Sequence, residues 1–169
     1  KCARPHLAQT FKSFDKRNIK LEDYLTTFKL LATQSVGWYR GAEQAGEKTQ
    51  NRQVKGFAEF YNSTKEATSL PSDEEFMKQV GVKINPSDNS ISITFNGKIT
   101  PDYAEYQLNG LWCNPMCEEF VKQLGEGDVI KGAQAYGTSA TVAGKSLTPL
   151  DTLLSVGPYY TATYESKKT

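Results

Sequence analysis

Between Leu21 and Ser35 apolar side chains recur at the spacing of an α-helix, and this pattern constrains the fold more than any other. The repeat consists of Leu21, Tyr24, Leu25, Phe28, Leu31 and Ala32, and ends at Ser35. Spacings of three and four residues place these side chains on one face of a helix, with Lys20 and Lys29 on the other side. The sequence therefore predicts an amphipathic helix that needs a surface to pack on.

The rest of the first half also favours helices. Two glycines in residues 37–41 interrupt the first helix, and the polar residues 42–53 form either a solvated helix or a loop. The apolar residues of 54–61 predict a second helix. Ser72 and Glu75 have the spacing of a capping box, which predicts a short helix that ends near Gly81.

The second half of the chain favours strands. Residues 91–95 alternate between apolar and polar and are rich in β-branched side chains, so we expect a strand with one buried face. Asn96-Gly97 predicts a hairpin turn that returns through residues 98–100. Later glycines divide the chain into short extended pieces such as Ala140–Val142, and residues 159–164 favour a final strand.

One helix is expected within this second half, over residues 114–125. Asn114 is suited to the N-cap, Pro115 to the first helical position and Gly125 to the exit. Its inward stripe is predicted to consist of Met116, Cys117, Phe120, Val121 and Leu124. The order of elements indicates an α+β fold, in which N-terminal helices pack on one face of a mostly antiparallel C-terminal sheet. Residues 1–169 show no repeat or linker, which predicts a single domain.

Composition excludes several classes of partner. The chain has 20 Lys and Arg against 19 Asp and Glu, a net charge of +1, which gives no electrostatic footprint for nucleic acid. No apolar run approaches the roughly 18 residues of a membrane span, so we expect none in this chain. Nine tyrosines, three cysteines and the sequon Asn62-Ser63-Thr64 favour an extracytoplasmic location: secreted, periplasmic or surface-exposed.

The cysteines are the sharpest chemical feature. Cys113 and Cys117 are predicted to form a structural disulfide at the helix start, with Cys2 paired to Cys117 as the alternative. Trp112-Cys113 followed by Cys117 also resembles the motif of thiol–disulfide oxidoreductases, but with three intervening residues instead of two. In that alternative, the N-terminal end of the helix would favour the Cys117 thiolate.

Other catalytic or cofactor chemistry has weaker support. His6 is the single histidine, so any triad would need it as the base. Cys2, His6, Cys113 and Cys117 form a possible zinc set, but nothing in the sequence requires distant segments to meet. We therefore expect no metal, no cofactor and no catalytic residue.

Adjacent aromatic residues suggest a contact surface instead. Trp38-Tyr39 and Tyr159-Tyr160 must each send neighbouring side chains in different directions, which leaves aromatic surface exposed. Trp and Tyr are favoured in contact surfaces. These four residues predict a non-enzymatic binding or assembly protein whose partners are other protein subunits. A carrier with an apolar cavity for a small ligand is a further alternative.

The order of segments resembles one known family. A long amphipathic helix ends near Tyr39-Arg40-Gly41, a polar loop follows, and then come the strand at 91–95 and the Cys117-led segment to Gly125. This looks like the soluble part of type IVb pilins, which are exported fibre subunits with central helices and an exposed sheet. In that family the cysteine is bridged to a second cysteine near the C-terminus, whereas here no cysteine follows Cys117. The family's leader and apolar helix start would precede Lys1.

Overall fold

The computed structural model describes residues 17–48, 50–108 and 114–154. The chain divides into two compact units. The larger unit is Lys20–Met116, and the smaller unit contains the described residues of Lys1–Ile19 and Cys117–Thr169. Compactness does not show whether a unit folds independently, so the single domain stays a prediction.

The described residues of the larger unit form five α-helices and one hairpin. Its helices are α1 (Leu21–Ala32), α2 (Tyr39–Ala45), α3 (Phe57–Ser63), α4 (Asp73–Gln79) and α5 (Pro101–Leu108). Its strands are β1 (Val82–Asn85) and β2 (Ser90–Ile93). Single 3₁₀ turns occupy Gln34–Val36 and Gln50–Arg52. Aromatic and aliphatic side chains from α1, α3, α4 and β1 form the core of this unit.

Helix α1 is confirmed, but it is covered on more than its apolar face. It begins after Lys20, whose backbone N–H donates to the Asp23 carboxylate at 2.8 Å. Leu25 to Ala32 are all buried, Lys29 included. Lys29 was placed opposite the apolar face, and that opposite side is buried too. Its ammonium lies 2.7 Å from the carboxylate of Asp73 at the start of α4, which covers that side of the helix.

The hairpin of the larger unit uses a different turn from the predicted one. Strand β2 pairs antiparallel with β1, which precedes it, through residues 86–89. The Asn96-Gly97 hairpin does not form. Phe95 instead makes an isolated bridge to Val54, and the Gly97 backbone lies against the Asn51 side chain. Pairing with a segment distant in sequence replaces the local turn.

The smaller unit combines two helices with a second hairpin. Helix α6 (Glu118–Leu124) and α7 (Val129–Ala135) precede β3 (Ala140–Val142) and β4 (Lys145–Leu147), which pair antiparallel. Its core consists of Cys117, Phe120, Leu124, Val142 and Leu147. The sequence indicated only extended pieces where α7 lies. The Asp128 carboxylate caps this helix, accepting from the N–H groups of Ile130 and Lys131 at 2.9 and 3.0 Å.

The predicted start of the Cys-led helix is wrong by three residues. Helix α6 begins at Glu118 with Cys117 at the N-cap, so Asn114 and Pro115 precede the helix. The Asn114 carbonyl accepts from the Thr27 hydroxyl at 2.5 Å, which ties this segment to α1. The predicted inward stripe is buried, and Gly125 follows the helix as expected. Met116, however, belongs to the larger unit.

The α+β class is confirmed. The described residues form seven helices and two antiparallel two-stranded sheets, and helices dominate the N-terminal half. The predicted strand at 140–142 is present as β3, whereas that at 159–164 lies outside the described residues. In the described ranges, no helix combines the length and the apolar character that crossing a bilayer requires.

Candidate functional site

A polar cleft with an aromatic edge lies in the larger unit. It is bounded by α2, the 3₁₀ turn at Gln50–Arg52 and α5, and has a volume of about 180 Å³. Three short segments therefore contribute to it, although α5 is separated from the other two by about fifty residues of chain. We call it the α2–α5 cleft.

The α2 side supplies charged and amide groups. Arg40, Glu43, Gln44 and Glu47 line the cleft from this side. The Arg40 guanidinium and the Glu43 carboxylate form an ion pair at 2.5 Å, one helical turn apart. Their hydrogen bond and the Glu43 charge raise the pKa of Arg40 above its ordinary value. Gln44 is buried and its Nε2 donates to the Arg52 carbonyl at 3.3 Å, which joins α2 to the 3₁₀ turn.

The opposite side supplies the aromatic groups. Arg52, Tyr103, Tyr106 and Gln107 line it. The Arg52 guanidinium carbon lies 4.7 Å from the centre of the Tyr103 ring, a cation–π contact. The Gln107 amide donates to the Tyr103 hydroxyl. Tyr106 is 71% exposed. Tyr103 is therefore held in place by Arg52 and Gln107, whereas Tyr106 is exposed to solvent.

Local hydrogen bonds hold the segment that carries Arg52. The Gln53 amide donates to the carbonyl oxygens of Ala45 and Glu47, at 3.3 and 3.0 Å. Val54 then pairs with Phe95, and the Asn96 N–H donates to the Gln53 carbonyl at 2.9 Å. These contacts fix the 3₁₀ turn beside the end of α2, so the position of Arg52 follows from the fold of the larger unit.

Of the two described residues of the predicted contact surface, Trp38 and Tyr39, only Tyr39 is exposed. Tyr39 is 76% exposed at the start of α2. Trp38 is half-buried and packs against the core of the larger unit. Tyr159 and Tyr160 lie outside the described residues. The structure thus places Tyr39 next to α2 residues of the cleft, and leaves the second predicted aromatic pair without a described position.

Sequence reasoning missed the residues of α5 and the 3₁₀ turn. Tyr103 and Tyr106 are three residues apart, the spacing of one helix face, and Pro101 stands at the first helical position. These signals were available in the sequence. Arg52 offered no such signal, because its contact with Tyr103 depends on tertiary packing.

The predicted disulfide is not formed by Cys117 in this structure. Its buried thiol is free and donates to the Glu119 carboxylate at 3.1 Å. Arg17 binds the same carboxylate oxygen at 3.0 Å. The other residues of the predicted disulfide and zinc sets, Cys113, Cys2 and His6, lie outside the described residues. In the part of the chain that is described, no three His, Cys, Asp or Glu side chains gather as a metal site.

The environment of Cys117 opposes thiolate formation. Burial raises the pKa of the thiol to about 12, and the hydrogen bond to Glu119 adds to this effect. The Phe120 backbone N–H and the Arg17 charge act in the opposite direction but are outweighed. The thiolate that the helix start was expected to favour is therefore disfavoured. Such a thiol is a poor nucleophile for disulfide exchange.

We expect Cys117 to react very slowly with thiol reagents while the protein is folded. In a Cys2→Ser/Cys113→Ser variant, Cys117 is the single thiol. At mildly alkaline pH, Ellman's reagent should modify the native variant at least about a hundredfold more slowly than the denatured one, because little thiolate is present. Equal rates in the two states would contradict the raised pKa.

The same pKa predicts a pH dependence of stability. An unfolded thiol has a pKa of about 8.5, so the folded state holds its proton over a range where the unfolded state releases it. The stabilisation from protonated Cys117 is thus complete below about pH 8.5 and is lost as the pH rises toward about 12. A Cys117→Ala variant should lack this component, which urea unfolding at several pH values measures.

The cleft combines hydrogen-bond donors, acceptors and an exposed aromatic ring, and the described residues that line it include no cysteine, serine or histidine. Comparisons of the chain with protein-family models, curated proteins and solved structures find no match. Arginine and tyrosine side chains are enriched among the residues that contribute most to protein contact surfaces.

Proposed function

We propose that the protein is an exported, non-enzymatic binding or assembly protein that contacts other protein subunits. The contact surface would comprise Tyr39, Tyr106 and the α2–α5 cleft beside them. The observation that carries this proposal is the exposure of the two tyrosines, which are the exposed large hydrophobic side chains in the described part of the chain. Both tyrosines make small contributions to the raised pKa of Arg40, after those of Glu43.

The composition of this surface supports protein contact. Tyrosine and arginine are enriched among interface residues that contribute most to affinity. Burying a large, exposed tyrosine ring removes apolar surface from water at about 25 cal/mol per Å². Two such rings flank charged groups that could form the polar rim of an interface. A second copy of the chain is the partner that the pilin resemblance favours, and an extracytoplasmic location belongs to the same proposal.

The two alternatives are less well supported. A thiol–disulfide oxidoreductase would need Cys117 as a reactive thiolate, whereas burial raises its pKa to about 12. A carrier for a small apolar ligand would need an apolar cavity, whereas the α2–α5 cleft is lined mainly by charged and amide side chains. Binding through the exposed surface requires neither feature.

We expect the purified chain to self-associate, with a molar mass that rises from micromolar to millimolar concentration in sedimentation experiments. A Tyr39→Ser/Tyr106→Ser variant should associate at least about tenfold more weakly, since interface tyrosines commonly contribute more than about 1 kcal/mol each. Both side chains are exposed, so the variant should fold normally.

Lys83→Ser, at an exposed position of β1, serves as the control and should associate like the wild type. A wild-type chain that remains monomeric at every concentration would contradict assembly from copies of this chain. Fractionation of the source cells tests the location, because recovery in the cytosol alone would contradict export.

A further inference from the structure

The strand that contains β2 has one edge whose backbone groups are not hydrogen-bonded. The Thr94 N–H donates to the Gly81 carbonyl at 2.6 Å, so the backbone of Thr94 faces β1. Successive residues of an antiparallel strand direct their N–H and C=O groups to alternate sides. Those of Ile91, Ile93 and Phe95 therefore point away from β1, and in the described part of the chain no group bonds them. We call this row of backbone groups the β2 edge.

Backbone pairing on the opposite side of the strand continues past the end of β2. The Lys55 N–H donates to the Thr94 carbonyl, and the Asn96 N–H donates to the Gln53 carbonyl, both at 2.9 Å. Residues 53–55 thus extend the side of the strand that β1 occupies. Pairing on that side runs from Ser90 to Asn96, so the β2 edge is the outer edge of this sheet among the described elements.

The sequence of this strand lacks two kinds of residue that commonly protect a sheet edge. Residues 90–95 read Ser-Ile-Ser-Ile-Thr-Phe, with no charge and no proline. A strand edge with unpaired N–H and C=O groups and no such protection is a template for another strand. Ile91, Ile93 and Phe95 are only half-buried against the core, so apolar surface remains beside the unpaired backbone.

The strand is complementary to a second copy of itself. In an antiparallel pair with a two-fold axis at Ile93, the two Ile93 residues lie opposite each other, and Ile91 lies opposite the second copy's Phe95. All of these residues point their backbone groups outward, so this register pairs every group of the β2 edge. On the exposed face, Ser92 lies opposite the second copy's Thr94, which brings hydroxyl groups together and no like charges.

We propose that two copies of the chain pair antiparallel through the β2 edge, which joins their β1–β2 hairpins into one four-stranded sheet. The β2 edge shares no residue with the α2–α5 cleft or with Tyr39 and Tyr106. The inference therefore goes beyond the proposed function and does not depend on the tyrosine surface. If both contacts form, a dimer made through one of them retains the other surface and grows into larger assemblies.

The test compares two variants of the full chain that differ at one residue. Ser92→Lys/Thr94→Lys places lysine opposite lysine in this register, whereas Ser92→Lys/Thr94→Glu places lysine opposite glutamate. The second is the matched control, because both positions are exposed and both variants lose the same hydrogen bond from the Asn85 amide to Ser92. Both are made in a Tyr39→Ser/Tyr106→Ser parent, which removes the tyrosine surface.

The parent should form a dimer in sedimentation experiments at up to millimolar concentration. The Lys/Lys variant should have a dimer Kd at least about tenfold higher, because like charges lie directly opposite each other twice in the pair. The Lys/Glu variant should have a Kd within about threefold of the parent or lower. Circular dichroism checks that both variants are folded.

Amide exchange measured by NMR identifies the pairing by its alternation. As the concentration of the parent rises, the N–H groups of Ile91, Ile93 and Phe95 should exchange with solvent several-fold more slowly, because they become hydrogen-bonded in the dimer. The N–H groups of Ser92 and Thr94 already face β1 and should change much less.

Three results would overturn the inference: a parent that stays monomeric, equal effects of the two charge variants, or no added protection at the alternating residues. None of them decides the tyrosine surface. That surface fails separately, if the wild type and the Tyr39→Ser/Tyr106→Ser parent associate equally strongly.

Discussion

Replacing Gly41 by alanine is expected to lower the free energy of unfolding by about 2–3 kcal/mol, although alanine is the better helix former by about 1 kcal/mol. Gly41 is buried inside α2. A methyl group at this position would lie 1.9 Å from the Leu31 carbonyl oxygen and 3.3 Å from the Tyr61 ring. The Leu31 oxygen belongs to the backbone of α1 and cannot rotate away as a flexible side chain could, so α1 and α2 would have to move apart.

Urea unfolding monitored by circular dichroism measures this effect. Ala42→Gly, at the exposed next position of α2, is the matched control. It exchanges the same two residue types in the opposite direction and should cost only about 1 kcal/mol, the difference in helix propensity. A Gly41→Ala variant as stable as the wild type, or more stable, would show that the two helices do not approach as closely as described.

Gly41 also illustrates why some elements could be predicted and others could not. The sequence treats residues 37–41 as an interruption, but only Gly37 has a positive φ, of 77°, while Gly41 continues the helix. Gly132 likewise lies inside α7, where an added methyl group would meet the Val121 carbonyl at 1.9 Å. In both helices glycine permits close packing of a neighbouring helix. A local pattern contains no information about that neighbour.

Elements specified by nearby residues were predicted well. The capping box at the start of α4 forms as expected: the Glu75 carboxylate accepts from the Ser72 N–H at 3.0 Å, and the Glu75 N–H donates to the Ser72 hydroxyl at 3.3 Å. Helix α1 follows its apolar repeat. The predicted hairpin turn at Asn96-Gly97 does not form, because β2 pairs with β1, which precedes it in the sequence. Several segments of the chain compete to pair with a strand, and a single local turn signal does not determine which of them pairs.

The candidate site was predictable only in part. Tyr39 was expected to be exposed, because it adjoins Trp38 and the two side chains diverge. The α2–α5 cleft needs Arg52 and Tyr103 beside α2, and these residues meet only after the larger unit has folded. The Cys117 pKa likewise depends on burial and on Glu119, so its helix-start position alone gave the wrong direction.

Asp73→Ala is expected to destabilise the protein by about 2–3 kcal/mol. The Lys29 side chain is 4% exposed, and its ammonium lies 2.7 Å from the Asp73 carboxylate, which is 40% exposed. Removing one partner of a buried pair costs about 3–5 kcal/mol, because the remaining charge stays in a poorly solvated position. The partial exposure of Asp73 admits water and reduces this cost. Lys29→Met keeps an unbranched apolar stem and removes the buried charge, so it should cost less than about 1.5 kcal/mol.

The decisive result is which of the two variants, Asp73→Ala or Lys29→Met, loses more free energy of unfolding. Glu74→Ala is the matched control, since Glu74 lies in the same first turn of α4 and pairs at 2.7 Å with Lys78 on the surface, where both side chains are more than two-thirds exposed. It should cost at most about 1 kcal/mol. In a Lys29→Met/Asp73→Ala variant, part of the loss should be recovered, because no buried ammonium remains. If Lys29→Met proves as costly as Asp73→Ala, the loss reflects packing around the lysine stem and not the burial of the ammonium charge.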